Sequence, residues 1–141
     1  MPGFDFRFRE SGGAPTVRNV VAKDNETFTK GDLVNIESGE ADLAVTQDTA
    51  LLGVVQETST PDGSTDTISV ICDDDAVYAY TDGTAHNIGV TLDVAGATGA
   101  QILAASSNQE FVVVATNAAT EETLVKINPT VHALSGTALG D

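Results

Sequence analysis

The side chains that most often carry acid–base or nucleophilic chemistry are few in this sequence. Its two histidines, His86 and His132, stand in no catalytic motif, and no Gly-x-Ser-x-Gly segment marks a serine nucleophile. The single cysteine, Cys72, ends the apolar run 67–72, which is typical of a small buried side chain rather than of a reactive thiol. We therefore expect no catalytic residues and no enzyme activity.

Carboxylates are the abundant ionisable groups. Two acidic turns, residues 62–66 and 73–75, offer oxygen ligands of the kind that hard cations prefer, but neither has the ligand spacing of an EF-hand loop. One cysteine cannot build a cysteine-rich zinc site, and the sequence contains no Walker or Rossmann glycine pattern. The sequence predicts no metal site and no cofactor, and a cation-binding acidic turn stays open as an alternative.

Net charge restricts the partners of the chain. Its 141 residues include 21 Asp and Glu against six Lys and Arg, a net charge of −15, which is the wrong sign for binding nucleic acid or an anionic membrane. The sequence has no run of 18 apolar residues, and its first residues lack the apolar core of a signal peptide. We expect neither a nucleic acid nor a membrane as a partner.

The distribution of charge separates the N-terminal segment from the rest. Five of the six basic residues lie within the first 30 positions, whereas residues 31–125 contain 16 acids and no Lys or Arg. The pattern predicts an acidic body with a mildly basic N-terminal segment.

Short β-like runs separated by turn residues make up the sequence. Val, Ile and Thr dominate the runs, and Gly, Asp and Pro recur between them, as in antiparallel all-β proteins. The predicted strands are residues 4–9, 17–22, 33–37, 42–45, 51–57, 67–72, 76–81, 89–94, 101–104, 110–116 and 123–128. The fold class is therefore all-β, a compact barrel or sandwich.

The first predicted strand alternates aromatic and charged residues. It is followed by the flexible stretch Glu-Ser-Gly-Gly-Ala-Pro at 10–15. One interpretation makes it the first strand of the domain's own sheet. The other divides the chain into an extended arm and linker, residues 1–16, and a domain, residues 17–141, with the arm adding a strand to a partner. The second interpretation assigns partner binding to Phe4, Phe6, Arg7, Phe8 and Arg9.

The central stretch 28–57 contains three features in order. These are a Gly-Asp pair at 31–32 before an apolar run, a short polar hairpin, and Gly-Val-Val at 53–55 followed by a polar turn. In these three features the sequence resembles the small capsid decoration proteins of tailed phages, which are also called cement proteins. The run 124–128 with Pro129 after it is similar to the same family.

The resemblance implies a compact β-barrel or β-tulip-like domain that forms a homotrimer. Such a protein is assembled in the host cytoplasm, binds the outside of the expanded capsid and stabilises it by bridging subunits of the major capsid protein. Two alternatives stay open. One is another virion structural protein, such as a head-fibre base, a tail-tube subunit or a minor spike, and the other is a small carbohydrate-binding or cation-binding β module.

Overall fold

The computed structural model describes residues 3–23, 26–45, 50–61, 66–81, 86–95, 102–104, 109–117 and 119–134. Within these residues the chain forms eleven strands and no helix, and hence no helix that could cross a membrane. The strands are β1 (Asp5–Arg9), β2 (Val17–Val21), β3 (Leu33–Glu37), β4 (Glu40–Leu43), β5 (Leu51–Val55), β6 (Thr67–Ile71), β7 (Ala76–Thr81), β8 (Thr91–Ala95), β9 (Ile102–Ala104), β10 (Phe111–Asn117) and β11 (Glu122–Ile127). Each overlaps a predicted strand, and the all-β prediction is confirmed.

The strands form two antiparallel sheets that pack as a sandwich. One sheet has six strands in the order β1-β7-β11-β10-β8-β9, and the other has five in the order β2-β6-β5-β3-β4. Across the described ranges neither sheet closes into a barrel. Just beyond β2 one isolated bridge joins Ala22 to Ala41, and the Lys23 amide donates to the Ala41 carbonyl at 2.9 Å, but β2 and β4 form no ladder with each other. The domain is therefore a sandwich, one of the two architectures that the strand pattern predicted, and the barrel or β-tulip that the resemblance implied is not formed.

Two apolar clusters stabilise the domain. The first lies between the sheets and combines side chains such as Tyr78 and Phe111 of the six-stranded sheet with Leu51 of the five-stranded sheet. The second lies on the other face of the five-stranded sheet and is centred on Phe28. Since this sheet is buried on both faces, its β5 reads Leu-Leu-Gly-Val-Val as a continuous apolar run instead of alternating.

Candidate functional site

The N-terminal strand, which contains nearly all the residues predicted to bind a partner, belongs to the protein's own sheet. It pairs with β7 in antiparallel fashion, with Phe6 opposite Tyr78, and lies at the edge of the six-stranded sheet. The segment is therefore a strand of the domain's own sheet, as in the first of the two interpretations, and not an extended arm. In the described part of the chain, no strand pairs with the second edge of β1.

Phe4 lies in the core between the sheets. Its side chain is 2% exposed, and its ring centroid lies 5.0 Å from those of Phe111 and Tyr80. The Phe4 amide donates to the Gly31 carbonyl at 2.8 Å, in the loop that leads into β3. Phe4 therefore fills a pocket in its own domain, and in this structure it is not available to a partner.

A β-bulge separates the other two aromatic residues of the strand. Phe6 lies opposite Tyr78 and Phe8 opposite Val77, so Arg7 is an extra residue without a partner position in β7. The Phe6 ring packs edge-on against Tyr78 at 6.3 Å between centroids, whereas Phe8 is 45% exposed. The bulge reverses the alternation, so the aromatic residues of this alternating segment do not all lie on one face of the strand.

The two arginines of the strand bind carboxylates of their own chain. Arg7 makes a two-pronged contact with Glu122, with Nη1 2.9 Å from Oε1 and Nη2 bonded to Oε2. Arg9 Nε lies 3.0 Å from Asp75 Oδ1 and 3.5 Å from Asp73 Oδ1. The second interpretation assigned Arg7 and Arg9 to partner binding, but these pairings supply their counter-charges within the domain.

Two ion pairs join segments on either side of β7 in the six-stranded sheet. Arg7–Glu122 and Glu10–Lys126, the latter with 2.8 Å between charged atoms, both join β11 to the N-terminal segment, and β7 lies between the two. Val77 of β7 pairs with Phe8 and is completely buried although it does not belong to either apolar cluster.

The acidic turn at 73–75 anchors the linker between β1 and β2. Asp75 Oδ2 accepts a hydrogen bond from the Ser11 amide at 3.0 Å and another from the Ser11 hydroxyl. Asp73 Oδ2 accepts one from the Thr16 amide at 2.7 Å. Together with the contacts of Arg9, these bonds attach both ends of the linker to one turn. Complementary charge between a basic N-terminal segment and an acidic turn is the sequence signal that would have indicated this role.

The carboxylates of the 73–75 turn bind the linker, and these contacts compete with binding a cation. Asp73 and Asp75 are already engaged by the linker, and the other candidate turn falls largely outside the described residues, which include only Asp66 of it. Among the residues that the structure describes, no group of three His, Cys, Asp or Glu side chains is placed to hold a metal ion.

Acid is expected to weaken the anchor through Asp75. Burial raises the pKa of Asp75, but hydrogen bonds from Ser11 and Arg9 outweigh it and lower the pKa to about 2. Because the folded pKa lies below the unfolded value of about 3.9, the stabilisation is complete above pH 4 and is lost as the pH falls towards 2.

Thermal unfolding of the wild type and of Asp75→Asn between pH 5 and pH 2 tests this expectation. The variant should have the lower melting temperature at pH 5, and the difference should shrink towards zero near pH 2. Asp74→Asn is the matched control, because Asp74 is the exposed neighbour in the same turn. A difference between wild type and Asp75→Asn that stays constant over this range contradicts the assignment.

A small polar cavity lies beside the β3–β4 hairpin. Its volume is about 120 Å³, and it is lined by Lys23, Glu37, Ser38, Glu40 and Asp42. Lys23 Nζ lies 3.5 Å from Asp42 Oδ2, so the cavity already contains its own counter-ion. It lacks the apolar and aromatic lining of a ligand pocket and is smaller than the roughly 300 Å³ at which such pockets begin.

The glycines in the stretch that resembles cement proteins have structural roles. Gly31 has φ +97°, and its carbonyl accepts a hydrogen bond from the amide of Phe4, directly before β1. Gly53 lies where β5 and β6 meet so closely that a Cβ atom would stand 1.6 Å from the Ile71 carbonyl oxygen. Asp32 Oδ2 accepts a hydrogen bond from the Thr29 amide at 2.9 Å, which closes the turn before β3. Each of these residues therefore helps to build the fold around β3 and β5.

Comparison with known proteins adds no relative: no protein-family model matches the chain, and no curated protein matches it.

Proposed function

We propose that this protein is a capsid decoration protein that binds the outside of an expanded viral shell as a homotrimer and bridges neighbouring major capsid subunits. The resemblance of residues 28–57 to cement proteins supports this function. The compact all-β domain and the net charge of −15 support it too, because repulsion between like charges keeps the free protein from aggregating before it binds the shell. The protein acts on the virion exterior without a cofactor and without turnover.

The observation that carries the proposal is the position of β1. It is an edge strand, its second edge is unpaired within the described chain, and Phe8 is 45% exposed on it. An extended segment of the capsid subunit adds to this edge by backbone hydrogen bonds, and Phe8 packs against its side chains. The bulge at Arg7 makes the edge irregular, which limits pairing with unintended partners.

Deletion of the N-terminal segment is a poor test of this function. Removing residues 1–10 would take Phe4 out of the core and an entire strand out of the six-stranded sheet. A loss of binding would then report damage to the fold, so a substitution at an exposed position is the better test.

Co-sedimentation with expanded and unexpanded shells, assembled from the major capsid protein of the same virus, tests the function with Phe8→Ala. Wild type should bind expanded shells saturably and unexpanded shells weakly or not at all. Phe8→Ala should bind about 5- to 150-fold more weakly, the effect of removing an aromatic anchor worth about 1–3 kcal/mol.

Val17→Ala is the matched control, because Val17 is 49% exposed on another edge strand. It should bind like wild type. Absence of wild-type binding to either shell overturns the decoration function, whereas equal binding by Phe8→Ala overturns only the role of β1. Two or three orders of magnitude fewer copies than capsid subunits on the virion would favour a fibre base or spike instead.

A further inference from the structure

His132 lies in a short C-terminal segment, residues 131–134, that attaches alongside the beginning of β5. The Leu51 amide donates to the Val131 carbonyl at 2.8 Å, and the Ala133 amide donates to the Leu51 carbonyl at 2.7 Å. These bonds form a parallel bridge between Leu51 and His132, and the His132 side chain is completely buried. The segment is therefore held by two backbone hydrogen bonds and one buried ring.

The ring has to be neutral for this arrangement to persist. Its Nδ1 accepts a hydrogen bond from the Leu134 amide at 3.1 Å. A nitrogen that accepts a hydrogen bond carries no proton, so the neutral ring holds its proton on Nε2. A second proton on Nδ1 would remove the acceptor of the Leu134 amide and would place a charge inside the domain, which is costly without full compensation.

The surroundings of the ring are partly acidic. Burial lowers the pKa of His132, while the nearby carboxylates of Asp74 and Asp73 and a hydrogen bond with the Asp73 backbone act in the opposite direction. Leu51, which packs from β5, contributes no charge. The effect of burial is the larger, so the folded protein keeps the ring neutral below the pH at which a free histidine takes up a proton.

We propose that residues 131–134, Leu51 and the 73–75 turn form an acid-sensitive clasp, in which proton uptake by His132 releases the C-terminal segment from β5 while the two sheets stay folded. The proton comes from solvent and binds the Nδ1 lone pair, and the Leu134 amide then turns to water. Release also frees the Leu51 backbone groups at the start of β5. The clasp is independent of the capsid-binding function, since it concerns contacts within one chain.

Local opening of residues 131–134 explains why the two sheets stay folded when His132 takes up a proton. Two backbone hydrogen bonds attach residues 131–134 to β5, whereas β10 and β11 pair over six positions in the middle of the six-stranded sheet. A segment held by so few backbone hydrogen bonds opens with a much smaller free energy than the central strands of a sheet. A proton that binds only the opened segment therefore shifts the local equilibrium first.

Amide hydrogen exchange at pH 7.5 and pH 5.5, corrected for the intrinsic effect of pH on exchange, measures the clasp directly. The released ring has a pKa near 6.5, so at pH 5.5 it is about 90% protonated and opening becomes more favourable, by at most about tenfold. The protection factors of the Leu51, Ala133 and Leu134 amides should fall by up to that factor. Those of β10 and β11 should not change.

His132→Asn and His86→Asn are the matched variants, since these are the two histidines of the chain. In His132→Asn the new amide side chain offers an oxygen to the Leu134 amide but takes up no proton. The change in protection should therefore disappear in His132→Asn and persist in His86→Asn. Protection of residues 131–134 that is independent of pH, or an equal loss in β11, overturns the clasp.

An NMR titration of the His132 ring in the unaltered protein serves if His132→Asn does not fold. The clasp predicts that the ring takes up its proton together with the loss of protection at residues 131–134. A ring that becomes charged while those amides stay protected overturns it.

Discussion

Gly53→Ala is expected to lower the free energy of unfolding by about 4 kcal/mol or more, the range reserved for severe defects in a core. The added Cβ would stand 1.6 Å from the Ile71 carbonyl oxygen and 2.8 Å from its carbon, both backbone atoms of β6. No rotation of a side chain relieves such a contact, so β5 and β6 would have to separate in the middle of the five-stranded sheet. Urea denaturation followed by circular dichroism measures the loss.

Gly12→Ala distinguishes this steric effect from the general cost of replacing glycine. Gly12 has φ +84°, and a Cβ atom there would meet nothing within 4 Å. Its replacement should cost only about 1–2 kcal/mol, from the left-handed backbone conformation. If Gly53→Ala and Gly12→Ala cost the same, β5 and β6 do not approach each other as closely as the structure shows.

Phe4→Ala is expected to cost about 3–5 kcal/mol, as for other buried phenylalanines. The substitution empties the space between Phe111 and Tyr80 in the core between the sheets. It also removes the packing that accompanies the hydrogen bond from the Phe4 amide to Gly31, which joins the N-terminal strand to the five-stranded sheet. The melting temperature and the urea midpoint should both fall.

Phe8→Ala is the matched control from the same strand, and it should cost less than about 1 kcal/mol because the ring is already 45% exposed. The two substitutions therefore separate the roles of the strand: Phe4 acts on stability, and Phe8 acts on binding to the shell. Equal destabilisation by both would mean that the N-terminal strand does not occupy its place beside β7.

Strand positions were largely predictable because they depend on local properties. The predicted limits of β3 and β7 agree with the structure at both ends, and in each case turn residues flank a run of β-branched or aromatic side chains. The ends of β5 and β8 were placed less well. Pairing with neighbouring strands, which the sequence does not show, decides where each ladder stops.

The candidate site shows where prediction from sequence ends. The aromatic and basic character of residues 4–9 was visible, but the alternation could not reveal the bulge at Arg7, which arises from pairing with β7. Nor could it reveal that Arg7 and Arg9 meet Glu122 and Asp75, at separations of 115 and 66 residues. Contacts over such distances depend on the order of strands in the sheet.

Composition, charge and turn chemistry by themselves determined that this chain is an acidic all-β protein without a recognisable catalytic constellation. These are sums over residues or patterns within a few positions, and they require no knowledge of the fold. Only the tertiary structure decided that the N-terminal strand belongs to the domain, that the 73–75 turn anchors its linker, and that His132 is buried beside β5. Each depends on which distant segments become neighbours, because burial and ion pairing are set by the surroundings of a side chain and not by its type.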